Sequence, residues 1–299
     1  MVYSRWMLWF CCVIPIFFSG ASDGATSARQ VGFVLLREGV GARAAAMGEA
    51  YTAVTGDQTA AFWNPAGIGA LEGKDFLLTH HRSFQGIQQG YGGWAYGNGT
   101  RGIALSLGVH GAGGLEARTG PSAHPLGTFS LFEAYTGISY AQRFGSRVYG
   151  GVSVRALHES IGPEQTSGLA ADVGVLYRPG VTGLTLGASY RNLGRTDALS
   201  AERVPLPRTL RVGAALVRGA VTASTDLSFP DKGSKGVHLG VEYAVRRTLF
   251  LRGGYRSGSD VRDLSLGVGL QRRNWRVDYA FVPSDLGLRG SHRIALGIR

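Results

Sequence analysis

The sequence predicts an all-β protein, a fourteen-stranded antiparallel transmembrane β-barrel with a short helical plug on its N-terminal side. Three observations carry this expectation. From residue 75 onward, segments of about ten residues alternate apolar and polar side chains with a period of two, and turn residues punctuate them. The links between segments are by turns short and long, which suits a barrel with tight turns at one end and loops at the other. An apolar run near the start reads as an export signal. Glycine agrees with this class: there are 47 in 299 residues, about 16 per cent against a usual roughly 7 per cent, without the three-residue period of collagen.

Residues 1–28 have the form of a signal peptide, with Arg5 as the positive start, MLWFCCVIPIFF as the apolar stretch and SGASDGATSA as the small-residue cleavage region after Ala21 or Ala28. The run is shorter than the roughly 20 residues of a spanning helix and contains Pro15. Both cysteines, Cys11 and Cys12, fall inside it. The remainder therefore has no disulfide, thiolate nucleophile or cysteine-ligated zinc. Its charge, +11, comes mostly from arginines scattered along the chain without stacking aromatics, so nucleic acid is not the expected partner.

Residues 29–72 lack the two-residue period and form the expected plug, with residues 73–299 as the barrel. In GARAAAMGEAYTA, residues 41–53, eight of thirteen side chains are Gly or Ala, small enough for close approach to other backbone. Asp57 is placed to cap a short helix running to Trp63, and Asn64-Pro65 stops that helix, because the residue before proline leaves the α region and proline lacks an N–H. Asn64-Pro65 is also the expected boundary between plug and barrel.

Fourteen strands are expected near 75–84, 88–97, 101–110, 130–143, 147–157, 167–178, 183–190, 208–217, 220–228, 235–245, 248–257, 261–271, 274–282 and 291–299. Short turns fall at NGT, FGSR, RPGVTG, RG, RR and RRN; longer links fall at 111–129, 158–166, 191–207, 229–234, 257–261 and 283–290. If the apolar faces meet lipid, the polar faces line the lumen and carry Glu133, Arg155, Asp172, Arg211, Asp226, Glu242, Arg252, Arg276, Asp278 and Arg293. In a soluble sandwich the same faces would be the solvated outside. A fourteen-stranded barrel is too wide for its own strand side chains to fill, which makes residues 29–72 the expected occupant.

Residues 41–71, GARAAAMGEAYTAVTGDQTAAFWNPAGIGAL, resemble the N-terminal signature of the PorV/PorQ group of outer-membrane proteins, within the wider FadL-like superfamily. Arg43, Met47, Gly48, Ala53, Asp57, Asn64, Pro65, Ala66 and Gly67 fall at its recurrent positions. The resemblance implies a barrel in the cell outer membrane, surrounded by outer-membrane lipid and plugged by an N-terminal hatch. It implies one of two functions: an accessory of type IX-like protein secretion that binds C-terminal domains of secreted proteins and the secretion machinery, or a FadL-like channel for hydrophobic small molecules. The C-terminus departs from such barrels, ending RIALGIR at Arg299 rather than on an aromatic residue.

Chemistry is not expected. GVHGAGG at 108–114 lacks the spacing and following helix of a phosphate loop. His80 and His81 are neighbours on a strand and point to opposite faces, so they cannot share a metal ion. No spacing singles out a Ser–His pair, and no cofactor, metal or catalytic residue is assigned. The links 111–128 and 191–207 are expected recognition loops, with Arg191, Arg195 and Arg203 suited to anionic partners.

Overall fold

A computed structural model describes residues 32–83, 86–118, 120, 124–198, 205–258, 263–283 and 290–299. The expected signal peptide, residues 1–28, lies outside the described residues, as does Arg203. The strands are β1 (Glu72–Arg82), β2 (Gln88–Asn98), β3 (Arg101–Ala117), β4 (Gly127–Phe144), β5 (Val148–Ile161), β6 (Glu164–Tyr177) and β7 (Leu184–Thr196). They continue as β8 (Thr209–Arg218), β9 (Val221–Pro230), β10 (Gly236–Arg246), β11 (Leu249–Arg256), β12 (Asp263–Arg272), β13 (Trp275–Val282) and β14 (Ser291–Ile298). Each pairs antiparallel with its sequence neighbours, and β14 closes on β1 through seven residue pairs from Phe76↔Ile298 to Arg82↔His292.

The alternation decides which medium surrounds this barrel. Outward residues are large, apolar and exposed, as with Leu105 (52%), Ile138 (59%) and Leu266 (64%), whereas inward residues include Glu133 (0%) and Asp172 (1%). Water outside would invert that arrangement. A charge on the outer face of a membrane barrel costs about 2–4 kcal/mol at the midplane, and the apolar band spares the strands that cost. No helix among the described residues is long and apolar enough to cross a membrane.

Two expected loops are largely strand. Residues 158–166 continue β5 and β6, whose pairing runs to Ile161↔Glu164 across a two-residue turn, Gly162-Pro163, in which Gly162 takes φ 58°. Gly99, Gly145 and Gly219 supply the same left-handed backbone in turns at the other end. Residues 111–117 and 127–129 extend β3 and β4, with the register shifting between Ala112 and Leu115 at Gly113-Gly114. Arg191 and Arg195, expected in a loop, sit on β7. A glycine pair hides the period, because it offers no side chain to alternate.

The plug is made of α1 (Val34–Arg37), α2 (Ala42–Ala46), α3 (Ala60–Trp63) and a 3-10 turn, Pro65–Ala70. Asn64 ends α3 with extended backbone, φ −157°, ψ 105°. It does not end the plug: its Oδ1 accepts the Ala66 N–H at 3.2 Å, Pro65 opens the 3-10 turn, and the barrel starts at Glu72. Asp57 is not the cap of α3, whose N-cap is Thr59. Its carboxylate instead accepts the Thr59 N–H at 3.0 Å and the Thr59 hydroxyl, bracing the turn ahead of the helix.

Candidate functional site in the barrel lumen

Nearly every residue from Phe33 to Leu71 is buried, and the wall groups that bury them are the inward charges. The farthest contact from the short turns is made by α1. Too short to satisfy its own first N–H groups, it passes Val34 N–H and Leu35 N–H to the Glu133 carboxylate at 2.8 and 2.6 Å, while Phe33 N–H reaches Glu159 at 3.4 Å. Glu133 and Glu159 face each other across β4 and β5, and His110 Nδ1 lies 3.2 Å from Glu133. Asp226 does the same lower down, accepting from Tyr51 N–H and Thr52 N–H at 3.0 Å each and from the Thr52 hydroxyl at 2.6 Å. Cations take the plug's carbonyls: Arg293 donates to Gly39 at 2.7 Å, Arg211 to Glu49 at 2.6 Å and Arg191 to Leu36 at 3.3 Å.

An ionic chain ties Arg43 to the wall. Its guanidinium forks onto Glu242 at 2.7 and 2.8 Å and reaches Asp57 at 3.2 Å. Glu242 continues to Arg252 (2.6 Å), Arg252 to Asp278 (2.8 Å), and Asp278 to Arg276 (3.1 Å). Fork geometry and burial make such pairs strong but demanding, since removing one partner strands the other's charge. Beside this chain three arginines stack on the aromatics of α3: Arg191 on Phe62 at 4.3 Å, Arg155 on Phe62 at 5.3 Å and Arg211 on Trp63 at 4.9 Å. Arg155 also pairs with Asp172.

Three carboxylates of the plug are shifted, and Glu38 is held below its ordinary value against burial by His81 and Arg293. Burial alone would raise Glu49, yet Arg256, Arg293, His238 and Arg211 outweigh it and hold Glu49 at about 2. Burial likewise opposes Asp57, but Arg276, Arg43 and the hydroxyls of Thr59 and Tyr51 hold it well below the usual carboxylate range. Tyr51, raised chiefly by burial, keeps its proton and donates it to Asp57 at 2.5 Å.

Near the short turns the plug is held by shape. A Cβ at Gly97 would collide with the Leu71 carbonyl, at Gly102 with Ile68, at Gly151 with Ala66 and at Gly174 with Asn64. Asn64 fixes the approach, its amide donating to Thr52 O at 2.9 Å and Val175 O at 3.0 Å. On the opposite wall a Cβ at Gly240 would sit 2.6 Å from Met47 O, and one at Gly48 2.6 Å from the Leu239 carbonyl. Gly67 leaves room for Ala60.

All ten inward charges are buried in the lumen, with Arg155, Arg211, Asp226, Glu133, Glu242 and Arg293 in polar contact with the plug or stacked on it. Sequence reasoning did not single out Glu159, Asp75, Asn192 and His238, and it placed Arg191 outside. The available signal was strand parity, obscured wherever a strand end was taken for a loop. His81 is buried beside Glu38 at 3.3 Å while His80 is exposed. Among the described residues no group of three or more His, Cys, Asp or Glu could hold a metal ion.

A cavity of about 40 Å³ lies beside Glu49, Arg256 and Arg293, whereas an apolar cavity of about 150 Å³ is the size that admits benzene. Outside, a shallow apolar groove of about 460 Å³ crosses β1–β4, lined by Phe76, Leu78, Trp94, Leu105 and Leu107 with Gly92 among them. Behind it Gly93 leaves room for Gln58 of the plug, whose amide donates to Tyr91 at 2.6 Å.

No family model matches the chain, and no curated protein matches it. Solved structures do. The Ralstonia pickettii toluene transporter TbuX is similar at 17% identity and a TM-score of 0.65, over 88% of this chain and 98% of that one. The CymD monoaromatic hydrocarbon channel is similar at 13% identity and 0.67, over 89% and 97%. A Pseudomonas aeruginosa FadL homologue is similar at 13% identity and 0.60, over 86% and 95%. At these identities the likeness is one of fold, the fourteen-stranded barrel.

Proposed function

We propose that this protein is an outer-membrane channel, not an enzyme, that passes small hydrophobic molecules when its plug rearranges. The observation that carries this is the closed lumen. The cavity beside Glu49, about 40 Å³, is smaller than one that admits an aromatic ring, and the segment that closes the lumen adds to its apolar packing against the wall a set of polar contacts that can be exchanged. Barrels of this fold include ones described as toluene transporters and a monoaromatic hydrocarbon channel, which supports the same class of solute here. The resemblance of residues 41–71 to PorV/PorQ proteins supports a second reading, a secretion accessory that binds C-terminal domains of secreted proteins.

Toluene uptake by cells expressing the protein separates the two. Thr52→Cys with Asp226→Cys replaces two side chains whose oxygens meet at 2.6 Å between the plug and β9, in a chain with no cysteine after Cys12. Uptake should stop when this pair is oxidised and return on reduction. Equal uptake in both states would refute gating by the plug, and uptake no greater than in cells lacking the barrel, alongside capture of a secreted protein's C-terminal domain, would favour the second reading.

A further inference from the structure

The rims of the barrel differ in charge. Each of the six short turns, at 99–100, 145–147, 178–183, 219–220, 247–248 and 273–274, carries or adjoins an arginine and contains no acidic residue. Arg101, Arg218, Arg246, Arg247, Arg272 and Arg273 are exposed there, and none forms an ion pair among the described residues. Glu72 is the exposed carboxylate at this end. The opposite rim mixes Glu164, Asp197 and Asp231 with Arg208, Lys232 and Lys235. Arginines far apart in the sequence are thus gathered into a collar by the hairpin topology.

We infer that this collar binds the phosphates of anionic phospholipids in the leaflet that meets the short-turn end. Position argues for lipid. Tyr96, Tyr140, Phe144, Tyr243 and Trp275 are exposed on the outer face near the short-turn ends of their strands, an aromatic girdle of the kind that marks the membrane interface, and the collar lies just beyond it, at headgroup height. Shape argues the same way: the arginines encircle the barrel, as a leaflet does, whereas a protein partner would meet one sector. Guanidinium groups are suited to the task, since each offers a phosphate two parallel N–H donors and keeps its charge at any working pH. The inference rests on the transmembrane fold and not on the channel reading.

The test reconstitutes the full barrel in phosphatidylcholine bilayers with phosphatidylglycerol as the minor component and counts lipids retained per barrel by native mass spectrometry. The wild type should retain phosphatidylglycerol above its bulk share. Replacing Arg246, Arg247, Arg272 and Arg273 by Gln should cut that preference about tenfold or more, a basic side chain at a membrane surface being worth roughly a factor of five. The same change at Arg208, Lys232 and Lys235 should leave it intact. Unchanged preference in the four-Gln variant overturns the proposal, as does loss of an acidic protein partner from that variant with its lipid preference intact. Should the variant not fold, as judged by heat-modifiable gel mobility, the wild type still decides. Its preference must fall as NaCl rises from about 0.05 to about 0.5 M, and a salt-independent preference contradicts the assignment.

Discussion

Residues 33–59 and residues 64–71 press against the same wall through different forces. The first stretch hangs its N–H groups and Arg43 on Glu133, Asp226 and Glu242, and its carbonyls on Arg191, Arg211 and Arg293. The second makes no ion pair and lays its backbone on Gly97, Gly102, Gly151 and Gly174, as the first does only where Met47, Gly48 and Thr52 meet Gly240, Gly254 and Gly187. The contrast bears on function. A polar contact can be exchanged for water or neutralised by a proton, whereas a backbone seated on glycine is lost only by moving the wall. The first stretch, which carries the ionic contacts, is therefore expected to open more readily than the second, which acts as its anchor.

Predictions follow in descending order of effect. Glu242→Ala removes the carboxylate shared by Arg43 and Arg252, leaving them only Asp57 and Asp278, and should weaken plug docking by about 3 kcal/mol, seen as a rise in open-state conductance of the reconstituted barrel. Glu242→Gln, which keeps some hydrogen bonding, should lie between that variant and the wild type. Acid should loosen the same stretch. Glu49 falls from an ordinary 4.5 to about 2 in the docked plug, so its contribution is complete above about pH 4.5 and is lost as pH falls through about 2; Asp57, also depressed, acts in the same direction. Conductance measured against pH should climb as pH falls from about 4.5 towards about 2. Climbing in the opposite direction would show that the charge contacts do not govern docking.

The anchor should respond to volume and not to pH. Gly151→Ala drives a methyl into the backbone of Pro65 and Ala66 and should cost about 1–3 kcal/mol, read as a lower thermal midpoint with unchanged pH dependence. Asn64→Ala removes two amide donations to Thr52 and Val175 and should cost about 1–3 kcal/mol, at the low end if water replaces the amide. If Gly151→Ala altered the pH profile as strongly as Glu242→Ala, the division between the stretches would fail.

The fourteen strands were legible because alternation survives wherever side chains exist to show it, as in RGIALSLGVH. It failed at Gly113-Gly114 and at the Gly162-Pro163 turn, where the ladder continues without a side-chain signal. Parity named the charges of the mid-strands but not their partners, because the contact between Arg43 and Glu242 spans 199 residues and no local pattern encodes it. The glycines of the wall were visible only as composition. Their meaning required the plug, since a glycine's role here is to leave space for a backbone that arrives from elsewhere. Scattered arginines likewise looked featureless until the hairpins brought every second connection to one rim.

The most direct measurement is the single-channel conductance of a barrel lacking residues 33–59 but keeping residues 60–71. If the charge-held stretch closes the lumen and the glycine-seated stretch only anchors it, this variant should conduct ions in a steady open state that the wild type does not show. Conductance equal to that of the wild type would contradict the account.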